Sequence, residues 1–401
     1  MGGRDMLSEM ECSGNAREAL EELFEDAWGD PSETASRMIR QLLNRSMVFE
    51  CTKYVGAARY GRGPARVTQR NGYYGRRLET TVGPIDLRVP RTRDGQFHPE
   101  SLSRYQRRHV HVDSGIREMF IAGVSTRRVR DVLAPLIGIE VSASTVSEIA
   151  KGLDKEVRRF HERRLPGEVR YLFLDGVYVK VKGALGPVRR AVLVAYGIDA
   201  KGVRQVLDFR MESSESEDCW ERFLWDLIDR GIAPDGVKLV AVDGCPGLVN
   251  AVRRCFPNAS LQRCWTHKMA NVSSSLPKTK ERREPVMQSL RAVYKADSLR
   301  EGRRRLRAWA GRWRHDFPKA VQCVERDADE LLSFLSQPPA LHVKLRTTNV
   351  IERSFKEVRR RSRTMGCFED TGSAQRVLYA VFERLNRLWP DKPLPAFTQR
   401  S

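Results

Sequence analysis

YLFLDGVYVKV, residues 171–181, places an aspartate in the middle of an apolar run. Alternate residues of an extended chain point to the same side, so Asp175 shares a face with Phe173, Val177 and Val179. A carboxylate on an apolar face is costly unless it is paired or binds a metal. Two readings stand for Asp175: a strand-end aspartate salt-bridged to an arginine, or a metal ligand.

The same alternation continues downstream. RRAVLVAYGID (189–199) and RQVLDFRM (204–211) complete three strands, joined by tight turns at Gly183–Gly186 and Asp199–Gly202. ESEDCWERFLWDLIDRG (215–231) has the spacing of an amphipathic helix. VKLVAVDG (237–244) is a continuous apolar run, as a buried parallel strand should be. PGLVNAVRRCF (246–256) reads as a helix and NASLQRCW (258–265) as a further short strand. The pattern predicts an α/β core. Asp243 ends its apolar strand, where ligands bind in open α/β sheets. Asp-Gly is also a turn signal, and Asp243 is equally placed to cap the next helix.

Residues 266–345 turn helical, basic and tryptophan-bearing. Trp309 and Trp313 are four apart, the spacing of a packed helix face rather than a base-stacking pair. RTTNVIERSFKEVRRRSR (346–363) then sets seven cations against two glutamates. Asn349 is a good N-cap, and Glu352 stands three residues on, where a capping-box glutamate belongs. Against that, Lys356, Arg359 and Arg363 share its helical face, while Ile351, Phe355 and Val358 form an apolar one. A carboxylate among cations is what a metal site acting on a polyanion needs.

Composition narrows the partner. The chain has 401 residues, a net charge of +20 and a pI near 9.9, with arginine dominating the basic set. Guanidinium forks match phosphate geometry, which favours nucleic acid over a merely solubilising surface. Half of the surplus sits in residues 268–320, with 15 basic and 5 acidic side chains. No run of eighteen apolar residues exists and the start MGGRDM lacks a signal-peptide core, so a cytoplasmic, nucleoid-associated protein is expected. Eight cysteines without any Cys-x-x-Cys pair are expected to be reduced thiols.

Upstream of the core, residues 1–55 show two helical stripes, Leu20–Leu23–Phe24–Ala27 and Ala35–Met38–Ile39–Leu42, separated at Asp30-Pro31-Ser32. VGAARYGRGPARVTQRNG (55–72) reads as a flexible linker or DNA-tracking arm. LETTVGPIDLRVP (78–90) alternates across a Gly-Pro turn, a small β unit that either grips DNA or docks on the core. Residues 113–153 form a helical pair with an apolar stripe of Val129, Val132, Leu133 and Leu136, a turn at Gly138–Ser142, and a second helix capped by Ser144 or Thr145, with Glu148 closing the box. This is helix-turn-helix grammar, and Arg127, Arg128 and Arg130 lie beside it. Arg127, Arg128, Ser144 and Thr145 are the expected DNA contacts there.

The chain resembles the Mutator-type bacterial insertion-sequence transposases along most of its length. The resemblance is carried by RNGYYGRRLETTVGPIDLRVPRTRDGQF, by GVSTRRVRDVL with VSASTVSEI, and by three blocks downstream. Those blocks are YLFLDGVYVKV, VAVDGCPGLVNAVRRCFPNASLQRCWTHKMANV and TTNVIERSFKEVRRRSRTMGCF. It implies an RNase H-like core with an Asp-Asp-Glu triad and a helical insertion before the glutamate. By position these are Asp175, Asp243 and Glu352, separated by 68 and 109 residues; the second gap fits an insertion over 266–345. The implied boundaries are an N-terminal helical domain (1–55), a basic linker with the β unit (56–110), a helix-turn-helix domain (111–165), the core (166–265 and 346–401) and the insertion (266–345).

The implied reaction is phosphoryl transfer on double-stranded DNA, using two Mg²⁺ or Mn²⁺ ions roughly 4 Å apart on the three carboxylates. Its DNA substrates are terminal inverted repeats and a target, handled by a copy-out, paste-in route. Two ends must be held together, so a homodimer is expected. Cys264 and His267 match the family's Cys-x-x-His signature. Two ligands fall short of a zinc site, so the pair is expected to brace the junction with the insertion, with His267 near DNA or the active site. Arg353, Lys356, Arg359 and Arg360 are the expected backbone contacts beside the site. Arg303, Arg304, Arg305 and Arg307 either track DNA from the insertion or form a solvated helix face. A DNA-binding regulator without activity and a nuclease that never joins strands remain as rival readings.

Overall fold

The structure, a computed structural model, describes residues 30–61, 63–122, 124–363 and 366–389, without the side chains of 350, 352, 353 and 361–363. The expected first helix, through Leu20 and Ala27, lies outside the described residues. The chain divides into two compact units, residues 1–120 with 124–149, and residues 121–123 with 150–401.

In the first unit, α1 (Pro31–Val55) starts on Asp30, whose carboxylate accepts the Ser32 N–H at 2.8 Å. The hairpin β1 (Arg70–Thr80) and β2 (Gly83–Thr92) packs Leu78, Ile85, Leu87 and Val89 against Met47 of α1. Its turn is not at Gly-Pro. Thr80 pairs with Gly83, leaving Thr81 and Val82 as the two turn residues and drawing Gly83-Pro84 into β2. The Thr80 hydroxyl fixes this turn by donating to the Gly83 carbonyl at 2.7 Å. The segment read as a flexible linker or DNA-tracking arm is held at its far end. Arg70 donates to the Ala57 carbonyl (2.8 Å) and the Thr52 hydroxyl (3.0 Å), folding the segment back on the end of α1.

Three helices follow: α2 (Val110–Ala122), α3 (Thr126–Ile137) and α4 (Ala143–Lys151). Ile116, Val129, Leu133, Ile139 and Val146 make their core. Only half of the expected α3 stripe is buried there, because Val132 and Leu136 remain 36 % and 71 % exposed. The cap of α4 is Ser142, two residues before Ser144. Its hydroxyl accepts the Thr145 N–H at 3.1 Å, and Ser144 and Thr145 sit inside the first turn.

In the second unit, α5 (Asp154–Glu162) precedes a five-stranded mixed sheet. Strands β3 (Val169–Gly183), β4 (Gly186–Asp199) and β5 (Arg204–Glu212) form an antiparallel meander. Strands β6 (Leu239–Val242) and β7 (Ser260–Arg263) add in parallel on the other edge of β3, giving the order β5-β4-β3-β6-β7. One sheet face buries Leu172, Leu174, Leu193 and Val242 against Trp220 and Phe223 of α6 (Glu217–Asp229) and Val252 of α7 (Pro246–Cys255). The other carries Phe173 against Tyr196, and Phe209 against Phe382 of α15 (Thr371–Leu388).

The starts of α6 and α7 approach closely. A Cβ on Gly247 would lie 2.7 Å from the backbone nitrogen of Glu217. Neither backbone can yield cheaply, so Gly247→Ala is expected to cost about 1–3 kcal/mol of unfolding free energy, measured by urea titration.

Residues 265–345 are helical: α8 (Trp265–Ser274), α9 (Lys280–Val293), α10 (Leu299–Trp313), α11 (Pro318–Glu325), α12 (Ala328–Leu332) and α13 (His342–Leu345). Trp309 is buried and donates to the Val286 carbonyl; Trp313 donates to the Ser289 hydroxyl. Both indoles therefore pack this helical layer. A buried ion pair, Lys268 with Asp327, locks α8 to the turn before α12. The chain then enters α14 (Asn349–Arg363), which packs on β3.

Candidate active site

Strand register brings the two aspartates together. Leu174 pairs with Val242, and Val242 pairs with Arg263, across three parallel strands. The next residue on each strand is Asp175, Asp243 and Cys264, so these three form one row where β6 and β7 end. Cys264 closes it by donating its N–H to the Val242 carbonyl at 2.8 Å.

Asp175 is 4 % exposed, and its Oδ1 accepts the neighbouring Gly176 N–H at 2.9 Å. Among the described residues no arginine or lysine pairs with it, and the cation that faces it is His267. Burial first, and then the Asp243 charge, hold its carboxyl well above the usual carboxylate range. Asp243 is half-buried and uses one oxygen to accept the Cys245 N–H at 2.9 Å. It forms the expected turn, but α7 begins beyond it, at Pro246, without a side-chain cap.

A third carboxyl lies at this end, and the strand pattern gives no hint of it. Glu215, between β5 and α6, rests on the Cα of Gly176, where a Cβ would come within 2.6 Å of its Oε1. Burial and the Asp243 charge raise its pKa as well. The signal that could have found it is positional: it opens the loop that leads from the meander into α6.

Glu352 lies on α14, and its side chain is outside the described residues. The start of that helix is fixed at the row of aspartates. Thr348 donates both its N–H (3.3 Å) and its hydroxyl (3.4 Å) to the Cys264 sulfur. Asn349 does not act as the expected cap. It is already helical, and its side-chain Oδ1 accepts from the Thr266 hydroxyl at 3.0 Å. Glu352 therefore stands beyond the capping-box position.

Cys264 is fully buried, and His267 faces it from the first turn of α8. Burial opposes ionisation of the thiol, but hydrogen bonds from His267 and Thr348 outweigh it and hold its pKa below the ordinary value. The hydrogen bond to Cys264, against burial and aided by the charges of Cys264, Asp175 and Asp243, raises the His267 pKa. A cationic imidazole beside two carboxylates is the consequence.

Asp175 and Asp243 set hard carboxylate oxygens side by side, the kind of donor that divalent ions prefer, with His267 as the neighbouring cation. The described residues supply two aspartates in register; no group of three His, Cys, Asp or Glu side chains among them is arranged to hold a metal.

The model of the Mutator family of transposases matches residues 15–391. The chain belongs to the Mutator transposase family. Its relatives include the transposase of insertion sequence ISRM5 from Rhizobium meliloti, 37 % identical over 88 % of this chain and 87 % of that protein. The IS406 transposase of Burkholderia multivorans is 37 % identical over 88 % and 91 %. The IS256 transposase of Tn4001 from Staphylococcus aureus is 33 % identical over 89 % and 91 %.

The arginines expected at the surface of this Mutator-family chain divide into two sets. Arg303 pairs with Asp329, and Arg304 and Arg305 share Glu301, while Arg307 is exposed. On α14, Arg360 pairs with Glu357, and Lys356 and Arg359 are exposed; the Arg353 side chain is outside the described residues. Arg127, Arg128 and Ser144 are exposed on the first turns of α3 and α4, with Thr145 half-buried beside them. No helix among the described residues is long and apolar enough to cross a membrane.

Proposed function

We propose that this chain is an active DNA transposase whose phosphoryl-transfer site is built on Asp175, Asp243 and Glu352. The observation that carries the reading is the side-by-side placement of Asp175 and Asp243 by strand register, with Asp175 buried and without an arginine or lysine partner among the described residues. The sheet order supports an RNase H-like core: a meander of three antiparallel strands, extended in parallel from its first member. The helix, turn and helix of α3 and α4 support a helix-turn-helix unit that contacts DNA through Arg127, Arg128, Ser144 and Thr145.

The three carboxylates would hold Mg²⁺ or Mn²⁺, which when bound activates the attacking hydroxyl and neutralises the leaving oxygen. The chain's own groups do the rest. His267 places a positive charge beside the aspartates, suited to a phosphate oxygen. Lys356, Arg359, Arg360 and Arg353 flank the site on α14 to hold the DNA backbone, and Arg307 with its neighbours extends that track. The reaction handles terminal inverted repeats and a target on a homodimer in the nucleoid, by a copy-out, paste-in route.

Incubating the protein with an oligonucleotide carrying its element end and Mn²⁺ tests this. Strand joining is the expected result. Cleavage without joining would leave a nuclease, and binding without cleavage would leave a regulator.

A further inference from the structure

We propose that a cavity on the hairpin unit, remote in sequence from the carboxylates, is a docking site for the phosphate backbone of duplex DNA. It has a volume of about 610 Å³ and lies between β1 and the loop of residues 98–108. That loop returns along the free edge of β1. Glu79 donates its N–H to the Arg107 carbonyl (2.9 Å) and accepts the His109 N–H (2.8 Å).

The lining is strongly basic, with Arg76, Arg77, Arg104 and Arg107 against a single glutamate. These arginines have different jobs. Arg76 is structural: it donates to the carbonyls of Ser103 (3.1 Å) and Gln106 (2.6 Å) and so holds the loop's shape. Arg77, Arg104 and Arg107 are exposed, and Arg77 and Arg107 have no ion-pair partner among the described residues. The loop turns over at Tyr105, which has a φ of 64° and is 79 % exposed, with the Arg104 guanidinium stacked on its ring at 5.3 Å. A non-glycine residue held in the left-handed region at an exposed tip is a strained feature, and such strain clusters at binding sites.

A cavity edged by unpaired guanidinium forks and stacked aromatics suits a polyanion with planar, repeated oxygens. Duplex DNA satisfies this through its phosphates, without regard to base sequence. The proposal rests on the DNA-acting reading above but concerns a different place on the molecule. It would supply register and affinity, leaving chemistry to the carboxylates.

Sequence independence makes the test practical. Binding of the full chain to an arbitrary 30-bp duplex is followed by fluorescence anisotropy across a salt series. Each phosphate contact contributes about one unit to the slope of log affinity against log salt. The double variant Arg77→Ala/Arg107→Ala is expected to lower that slope by about two. Arg77→Lys/Arg107→Lys is expected to restore most of it, since charge rather than fold was removed. Both side chains are exposed, and circular dichroism confirms that each variant is folded. An unchanged slope in the folded alanine variant would overturn the cavity while leaving Mn²⁺-dependent strand joining intact. Absence of duplex binding by the unaltered chain would overturn both readings. Poly-glutamate competing for the same arginines more strongly than DNA would reassign the cavity to an acidic protein partner and overturn the proposal.

Discussion

Asp243→Asn is expected to reduce metal-dependent strand cleavage and joining by about 10³-fold or more while leaving the fold and duplex binding unchanged. The size follows from the several kcal/mol that a bound divalent ion contributes to phosphoryl transfer, at about 1.4 kcal/mol per tenfold. The selectivity follows from geometry. Asparagine keeps the oxygen that accepts the Cys245 N–H, so the turn survives, and only the charge is lost. Asp175→Asn is expected to be equally inactive but more stable than the parent in metal-free buffer. Its carboxyl is buried and sits well above its ordinary pKa. The folded chain thus binds more protons than the unfolded one above the usual carboxylate range, and stability falls as pH rises through that window. Asparagine removes the penalty. Activity that persists in either variant, with both proteins free of contaminating nuclease, would end the assignment of the site.

The second large effect concerns stability alone. Asp208 on β5 is fully buried and accepts from His161 at 2.7 Å and from Arg230. Arg163 lies in the same nest, donating to the carbonyls of Leu207 (2.6 Å) and Val206 (3.1 Å). Burial drives the Arg163 pKa down to about 10, against the support of Asp208. The aspartate therefore compensates cations that α5 and the end of α6 bring to the edge strand. Removing one partner of such a pair leaves uncompensated buried charge, which costs about 3–5 kcal/mol. Asp208→Ala should show that loss in urea unfolding; a change below about 1 kcal/mol would mean the network is not coupled to folding.

Local pattern carried much of the fold. The alternation of residues 171–211 and the apolar run before Asp243 are short-range signals, and β3 to β6 follow them. Their consequence for the site is long-range. Nothing local says that Leu174 aligns with Val242, and this register is what sets Asp175 beside Asp243. The misreadings have the same origin. Gly-Pro is a strong turn signal, but pairing of Thr80 with Gly83 overrode it. Ser142 displaced Ser144 and Thr145 as the cap because three hydroxyls compete within one turn. Arg303 and Arg305 look alike in sequence, yet one reaches Asp329 and the other Glu301. Glu215 had only its place in the loop before α6 to mark it, because its approach depends on the missing side chain of Gly176, far away in sequence.

The helical layer between β7 and α14 leaves and rejoins the sheet at neighbouring points. Trp265, its first residue, donates its N–H to the carbonyl of Arg346, just past its last helix, at 3.0 Å. Beside it Thr266 donates to Asn349, and the layer is fastened to β7 where Gln262 meets Leu331 and Phe334 and where Arg263 pairs with Glu330. An insertion fastened this way is a brace as well as a detour: changes of length far from β7 leave the carboxylates in place, whereas cutting into α12 would loosen the strand that ends beside them.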